Sequence, residues 1–131
     1  YSLIMAAAVS DYRVKNKSDE KIKKDGNSLT IELIENPDIL QEMCKIKKDN
    51  QIVVGFCAES QNLLDNAKTK IKKKNCDYIC ANDISQKDIG FSSNYNELFI
   101  IDKELNTSHI EKTDKNSAAL KILERIYGTS K

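Results

Sequence analysis

Two uninterrupted apolar runs constrain this chain more than any other feature: Leu3–Val9 within SLIMAAAV and Ile52–Ala58 within QIVVGFCA. Both are strand-length and far short of the roughly 20 residues needed to span a bilayer, so no transmembrane segment is expected. Because neither run alternates with polar residues, each reads as a parallel strand covered on both faces. Parallel neighbours need crossover connections, usually helices, and the sequence between and after the runs supplies them.

Asn36-Pro37-Asp38 reads as a helix start: Asn36 can cap, Pro37 suits the first helical position, and Asp38 favours the positive helix end. Ile39, Leu40, Met43 and Cys44 follow at helical spacing. A second helix is expected over Gln61–Lys74, with Leu63, Leu64, Ala67 and Ile71 on one face. Leu29, Ile31 and Leu33 alternate with polar residues as in a half-buried strand, whereas Ser10–Asn27 reads as a polar loop ending in an Asp25-Gly26 turn. Asp77–Ala81 and Leu98–Ile101 are further short strands, Asn82-Asp83 begins a loop, and Ser108–Lys112 is an edge strand. Asp114 caps a last helix through Ala118, Leu120, Ile122, Leu123 and Ile126, which Gly128 ends. This order predicts an α/β domain with a mainly parallel sheet.

The 131 residues favour a single domain. With 21 Lys+Arg against 20 Asp+Glu, the net charge of +1 argues against polyanion binding through overall charge, although the basic residues are clustered. Cys44, Cys57, Cys76 and Cys80 stand among apolar residues. Cys76 and Cys80 form C-x3-C and His109 is the sole histidine, so a zinc site is not indicated. Buried thiols with no secretory signal point to a reducing cytoplasm. The chain opens in a strand pattern without an initiator Met, and a domain lacking its N-terminal part is expected.

Ligands of such sheets bind beyond the carboxyl ends of the strands. At the first end, Ala6, Ala7 and Ala8 would let a ligand approach the backbone, and Asp11 could hold a magnesium ion or a ribose hydroxyl; tight helix packing and a loop-capping aspartate explain the same residues. Lys70 and Lys74 lie one turn apart on the second helix, bordering its apolar face, while Lys72 and Lys73 point elsewhere. They suit phosphate binding, or they are surface lysines complementing a helix C-terminus. Lys21-Ile22-Lys23-Lys24 is either a mobile basic flap or a solvated charge run. The four glycines form neither G-x-G-x-x-G nor a Walker loop.

In order, AAAVSDYR (6–13), KIKK (21–24), NPDIL (36–40), VGFCAES (54–60), the helix bearing Lys70 and Lys74, ICAND (79–83) and Gly90-Phe91 resemble phosphopantothenoylcysteine synthetase. The resemblance covers nearly the whole chain, as the C-terminal two-thirds of such a domain. It implies a Rossmann-like three-layer sandwich and CTP-dependent activation of 4′-phosphopantothenate to an acyl-cytidylate. The amine of cysteine would then form the amide and release CMP. It also implies Mg²⁺, a homodimer, and fusion in bacteria to a decarboxylase half that holds FMN, not bound by this chain. Carried over to this sequence, Met5, Ala6 and Ala7 would contact the nucleotide through the backbone. Asp11 would lie in the nucleotide and metal region, and Lys21 would close over the reacting acyl phosphate. Pro37, Asp38, Ile39 and Leu40 would read the cytosine and Phe56 would flank the nucleotide. Lys70 and Lys74 would bind phosphates, and Asn82 would stand near the pantothenate. Cys57 departs from the family's usual alanine and Ser60 from its threonine. The family's glycine-rich nucleotide loop and its intermediate-handling asparagine have no counterpart here.

Three other readings compete. A non-catalytic nucleotide-binding relative would not need the flap lysine. A dehydrogenase-type domain lacks the glycine fingerprint. An RNA-binding reading of Lys68–Lys74 fares poorly, because none of the five Tyr and three Phe interleaves with those lysines.

Overall fold

A computed structural model describes residues 1–85 and 93–128. Its main sheet has five strands: β1 (Ser2–Met5), β4 (Ile52–Glu59), β5 (Tyr78–Asp83), β6 (Tyr95–Asp102) and β7 (Thr107–Asp114). They are ordered β1-β4-β5-β6-β7, with β1, β4 and β5 mutually parallel and β6 and β7 added antiparallel. Four of the five strands therefore run one way, as expected of a mainly parallel α/β sheet. A separate ribbon pairs β2 (Tyr12–Val14) with β3 (Leu33–Glu35).

Helices α1 (Ile39–Ile46) and α2 (Leu63–Lys74) cover one face of the sheet and α3 (Lys115–Tyr127) the other. Consecutive β4 residues show the consequence of strand pleating. Val53 points to the cluster of Leu40, Cys44, Ala67, Ile71 and Ile79. Its neighbour Val54 points to the cluster of Cys80, Leu98, Ile100, Ile122 and Ile126. Coverage on both faces is why the 52–58 run contains no polar residue. Asp77 fastens the α1 side: its carboxylate pairs with Lys47 at 2.5 Å and accepts from Val53 N at 2.7 Å.

Several expected boundaries shift. The first run forms a strand only over Ser2–Met5, and it is not covered on both faces: Leu3 and Met5 pack against the α1–α2 cluster, while Ile4 is 38% exposed. Among the described residues it is an edge strand hydrogen-bonded to β4, and α3 reaches it at its end, through Ser2 and Tyr127. In the expected strand at 29–33, Leu29 and Ile31 are exposed and unpaired; Leu33–Glu35 finds its partner in Tyr12–Val14, which the sequence assigned to a loop. Asn82 and Asp83 end β5 and pair with Ala58 and Glu59, so they are strand and not loop.

At the start of α1, Asp38 and not Asn36 is the cap, its Oδ1 accepting from Gln41 N at 3.0 Å, and Pro37 precedes the cap. Asp114 caps α3 as expected, through Ser117 N. Ala118, Ile122 and Ile126 form that helix's buried stripe, whereas Leu120 and Leu123 remain exposed. Gly90-Phe91 lies outside the described residues.

Candidate functional site

The carboxyl ends of β1, β4 and β5 and the turn into α1 surround a cavity of about 650 Å³. The segment after β1 supplies one wall, including Met5, Ala6, Ala7 and Asp11. All three alanines of that segment are exposed, so their backbone is open to a ligand, which fits the small-residue reading better than helix packing. Opposite stand Pro37, Asp38, Ile39 and Leu40, followed by Phe56 from β4, Lys70 and Lys74 from α2, and Asn82 from β5. The cavity thus gathers every residue singled out for binding except Lys21, which is exposed in the segment joining β2 to β3 and does not line it.

Asn36 holds two of these walls together. Its backbone N–H donates to Asp11 O at 2.8 Å and its Nδ2 to Ser10 O at 2.7 Å. Arg13 Nη1 donates to Asn36 Oδ1 at 3.0 Å and to Glu35 O at 2.9 Å. The ribbon β2–β3 and the loop carrying Asp11 are thereby clamped to the start of α1. Sequence reasoning gave Asn36 a helix cap instead, and the proline after it could not decide the matter, since a cap is itself extended and readily precedes proline.

Both lysines already have partners. Lys74 Nζ lies 3.0 Å from Asp38 Oδ2, and Lys70 Nζ lies 2.5 Å from Glu59 Oε1, whose other oxygen accepts from Asn66 Nδ2 at 3.0 Å. The exposed Lys72 and Lys73 point away, as the helical spacing predicts. Burial pulls Lys70 down, but the Glu59 hydrogen bond and the nearby Cys57, Glu59 and Asp11 more than offset it, so its pKa is raised. The Lys70 hydrogen bond lowers Glu59 against the opposing effect of burial. Burial pushes Asp38 up, but the Gln41 N–H and Lys74 outweigh it and leave the carboxyl below its ordinary value.

Two further groups complete the cavity. Asn82 lines the cavity, and its Oδ1 is buried and accepts no hydrogen bond. Cys57, also in the lining, is half-buried, its thiol pushed up by burial although Lys70 pulls the other way. Two ammonium groups and exposed backbone equip this cavity for a phosphorylated ligand. Among the described residues no group of three or more His, Cys, Asp or Glu could hold a metal ion. Asp11 offers a single carboxylate, which suits magnesium arriving on phosphates, since that ion keeps several waters and takes only one or two carboxylates.

Comparisons with known proteins bear on this site. A family profile described as "DNA/pantothenate metabolism flavoprotein C-terminal domain" matches residues 2–129. The Borreliella burgdorferi protein named coenzyme A biosynthesis bifunctional protein CoaBC is 43% identical over 127 residues, covering 95% of this chain and 31% of the relative. A protein named cysteine/cysteine sulfinic acid decarboxylase, from an unknown prokaryotic organism, is 38% identical over 94% of this chain and 34% of its own length. The chain therefore spans about a third of the curated relatives it matches. The solved C-terminal domain of a CoaBC protein superposes with a TM-score of 0.70 at 30% identity, covering 95% of this chain and 52% of that one.

Proposed function

We propose, from the premise that this chain belongs to the DNA/pantothenate metabolism flavoprotein C-terminal domain family, that it carries much of the active site of a phosphopantothenate–cysteine ligase serving coenzyme A biosynthesis. One observation carries the reading. A single cavity sets Lys70 and Lys74 beside the exposed backbone of Ala6–Ala7 and the turn Pro37–Leu40. A nucleoside triphosphate needs that combination: cations for its phosphates, and close-set backbone groups for its base and sugar.

In the reaction, a carboxylate oxygen of 4′-phosphopantothenate attacks the α-phosphorus of CTP and the bond to pyrophosphate breaks. The cysteine amine then attacks the acyl carbon, loses a proton, and CMP departs. A carboxylate is a poor acyl donor, and the cytidylate gives it a leaving group. The protein contributes position and charge neutralisation. Lys70 and Lys74 hold the phosphates, Phe56 flanks the nucleotide, and Asn82 stands near the pantothenate. Asp11 would hold a magnesium ion brought by the triphosphate, which neutralises phosphate charge when bound. Lys21 would reach the acyl phosphate only by movement of the 15–32 segment, whose residues are all exposed.

We take the working protein to be a cytoplasmic homodimer, fused as in its relatives to a further half in which a decarboxylase would bind FMN. A nucleotide-binding relative without catalysis is the second reading, favoured by the position of Lys21 outside the cavity. The deciding experiment is pyrophosphate release by the full-length product with phosphopantothenate and cysteine, comparing CTP with ATP. Release that requires phosphopantothenate and prefers CTP is expected. Nucleotide binding without release would select the second reading.

A further inference from the structure

The two lysines of the cavity are held in different ways. Asp38, the partner of Lys74, itself lines the cavity. Glu59, the partner of Lys70, does not; it stands behind the lysine at the last position of β4. Its side chain is only 15% exposed, against 43% for that of Lys70. Glu59 is fixed in turn by Asn66 Nδ2, which also donates to Gln61 O, so the carboxylate is anchored to the first turns of α2.

We infer that Glu59 is a positioning residue for the phosphate site, a strut that holds the Lys70 ammonium in place before and during ligand binding. This rests on the ligand being a phosphorylated nucleotide, as proposed above. A lysine side chain free in solvent samples many rotamers, and ordering it on binding weakens affinity. Lys70 avoids that loss because its partner approaches from outside the cavity and leaves the remaining N–H donors turned inward. An arriving phosphate adds to the Glu59–Lys70 pair. At Lys74, by contrast, the phosphate and Asp38 approach from the same side, and the lysine must exchange one partner for the other. Lys70 is thus the fixed anchor and Lys74 the exchanging one.

The test measures CTP affinity calorimetrically, together with CTP and phosphopantothenate KM, on the full-length protein and on Glu59→Gln, Lys70→Ala and the double variant. Glu59→Gln is expected to weaken CTP binding about tenfold, with the phosphopantothenate KM unchanged. In the Lys70→Ala background the same substitution should have no further effect on CTP, since the strut then has nothing to hold. Glu59→Asp, which keeps the charge but shortens the reach, should recover part of the loss. Asn66→Ala frees Glu59 without touching the cavity, and a smaller loss in the same direction is expected; it serves if Glu59→Gln does not fold. Equal or tighter CTP binding by Glu59→Gln, or additive losses in the double variant, would overturn the strut while leaving the ligase reading intact. Absence of CTP binding by the unsubstituted protein would overturn both.

Discussion

A methyl group added at Gly55 would collide with Leu40 Cδ2, because the first turn of α1 lies directly on β4 there. Leu40 is both core and cavity wall, so this contact sets how close the turn Pro37–Leu40 comes to the sheet. Gly55→Ala is expected to lower unfolding stability by about 1–3 kcal/mol in denaturant titration and to weaken nucleotide binding as well. Asp38 joins two tasks in one carboxylate, capping α1 and pairing with Lys74. Its folded pKa is depressed, so its contribution is present above the unfolded value and is lost as pH falls through the folded one. Asp38→Asn should therefore destabilise the protein at neutral pH and flatten the acid limb of stability below about pH 4; an unchanged acid limb would assign that limb to other carboxylates. Single residues were the least legible scale. The sequence placed Asp38 near a helix start, but Asn36 and Asp38 are both good caps, and only the fold shows that Asn36 is committed to Ser10, Asp11 and Arg13. Glu59 gave no signal at all, since its partner is eleven residues away on the next element.

Helix α2 illustrates what periodicity can and cannot deliver. Its apolar positions fix the buried face, and the rotation of that face fixes Lys70 and Lys74 toward the cavity and Lys72 and Lys73 toward solvent. Lys70→Ala should weaken CTP binding roughly tenfold while Lys72→Ala leaves it nearly unchanged, as titration calorimetry would read. The ribbon β2–β3 escaped notice for a physical reason. Tyr12–Val14 is too short for a periodic signal and sits amid charge, and its pairing is fixed by the Arg13–Asn36 clamp instead of by a buried face. Tyr12, Val14 and Leu33 are accordingly exposed, although their residue types suggest burial. The cysteines followed the simple rule of apolar burial more closely. Cys44 and Cys76 meet at 3.3 Å between α1 and the turn before β5, and Cys80 is pushed up to about 12 within the sheet. Alkylation of the native protein at pH 8 should label Cys57 first and reach the other three only on unfolding. Bound nucleotide should slow that first reaction, because Cys57 lines the cavity.

At the scale of the whole molecule, the sequence conveyed the layering because two neighbouring strand residues, such as Val53 and Val54, must each find an apolar cover. It did not convey that this cover thins toward β1, a matter of which elements reach the edge. Hydrogen exchange should rank the elements in the same way: β4 and β5 slowest, between two covered faces, and β2–β3 fastest. The paired lysines have a further consequence at this scale. Attraction between an unpaired ammonium group and a phosphate weakens as dissolved salt screens it. Here Lys70 and Lys74 carry carboxylates of the protein itself as counterions, so little unpaired charge is left for salt to screen. The logarithm of nucleotide affinity should then fall with added potassium chloride less steeply than two bare ammonium groups would require. Occupancy of the site would follow the supply of nucleotide and be largely indifferent to the ionic strength of its surroundings.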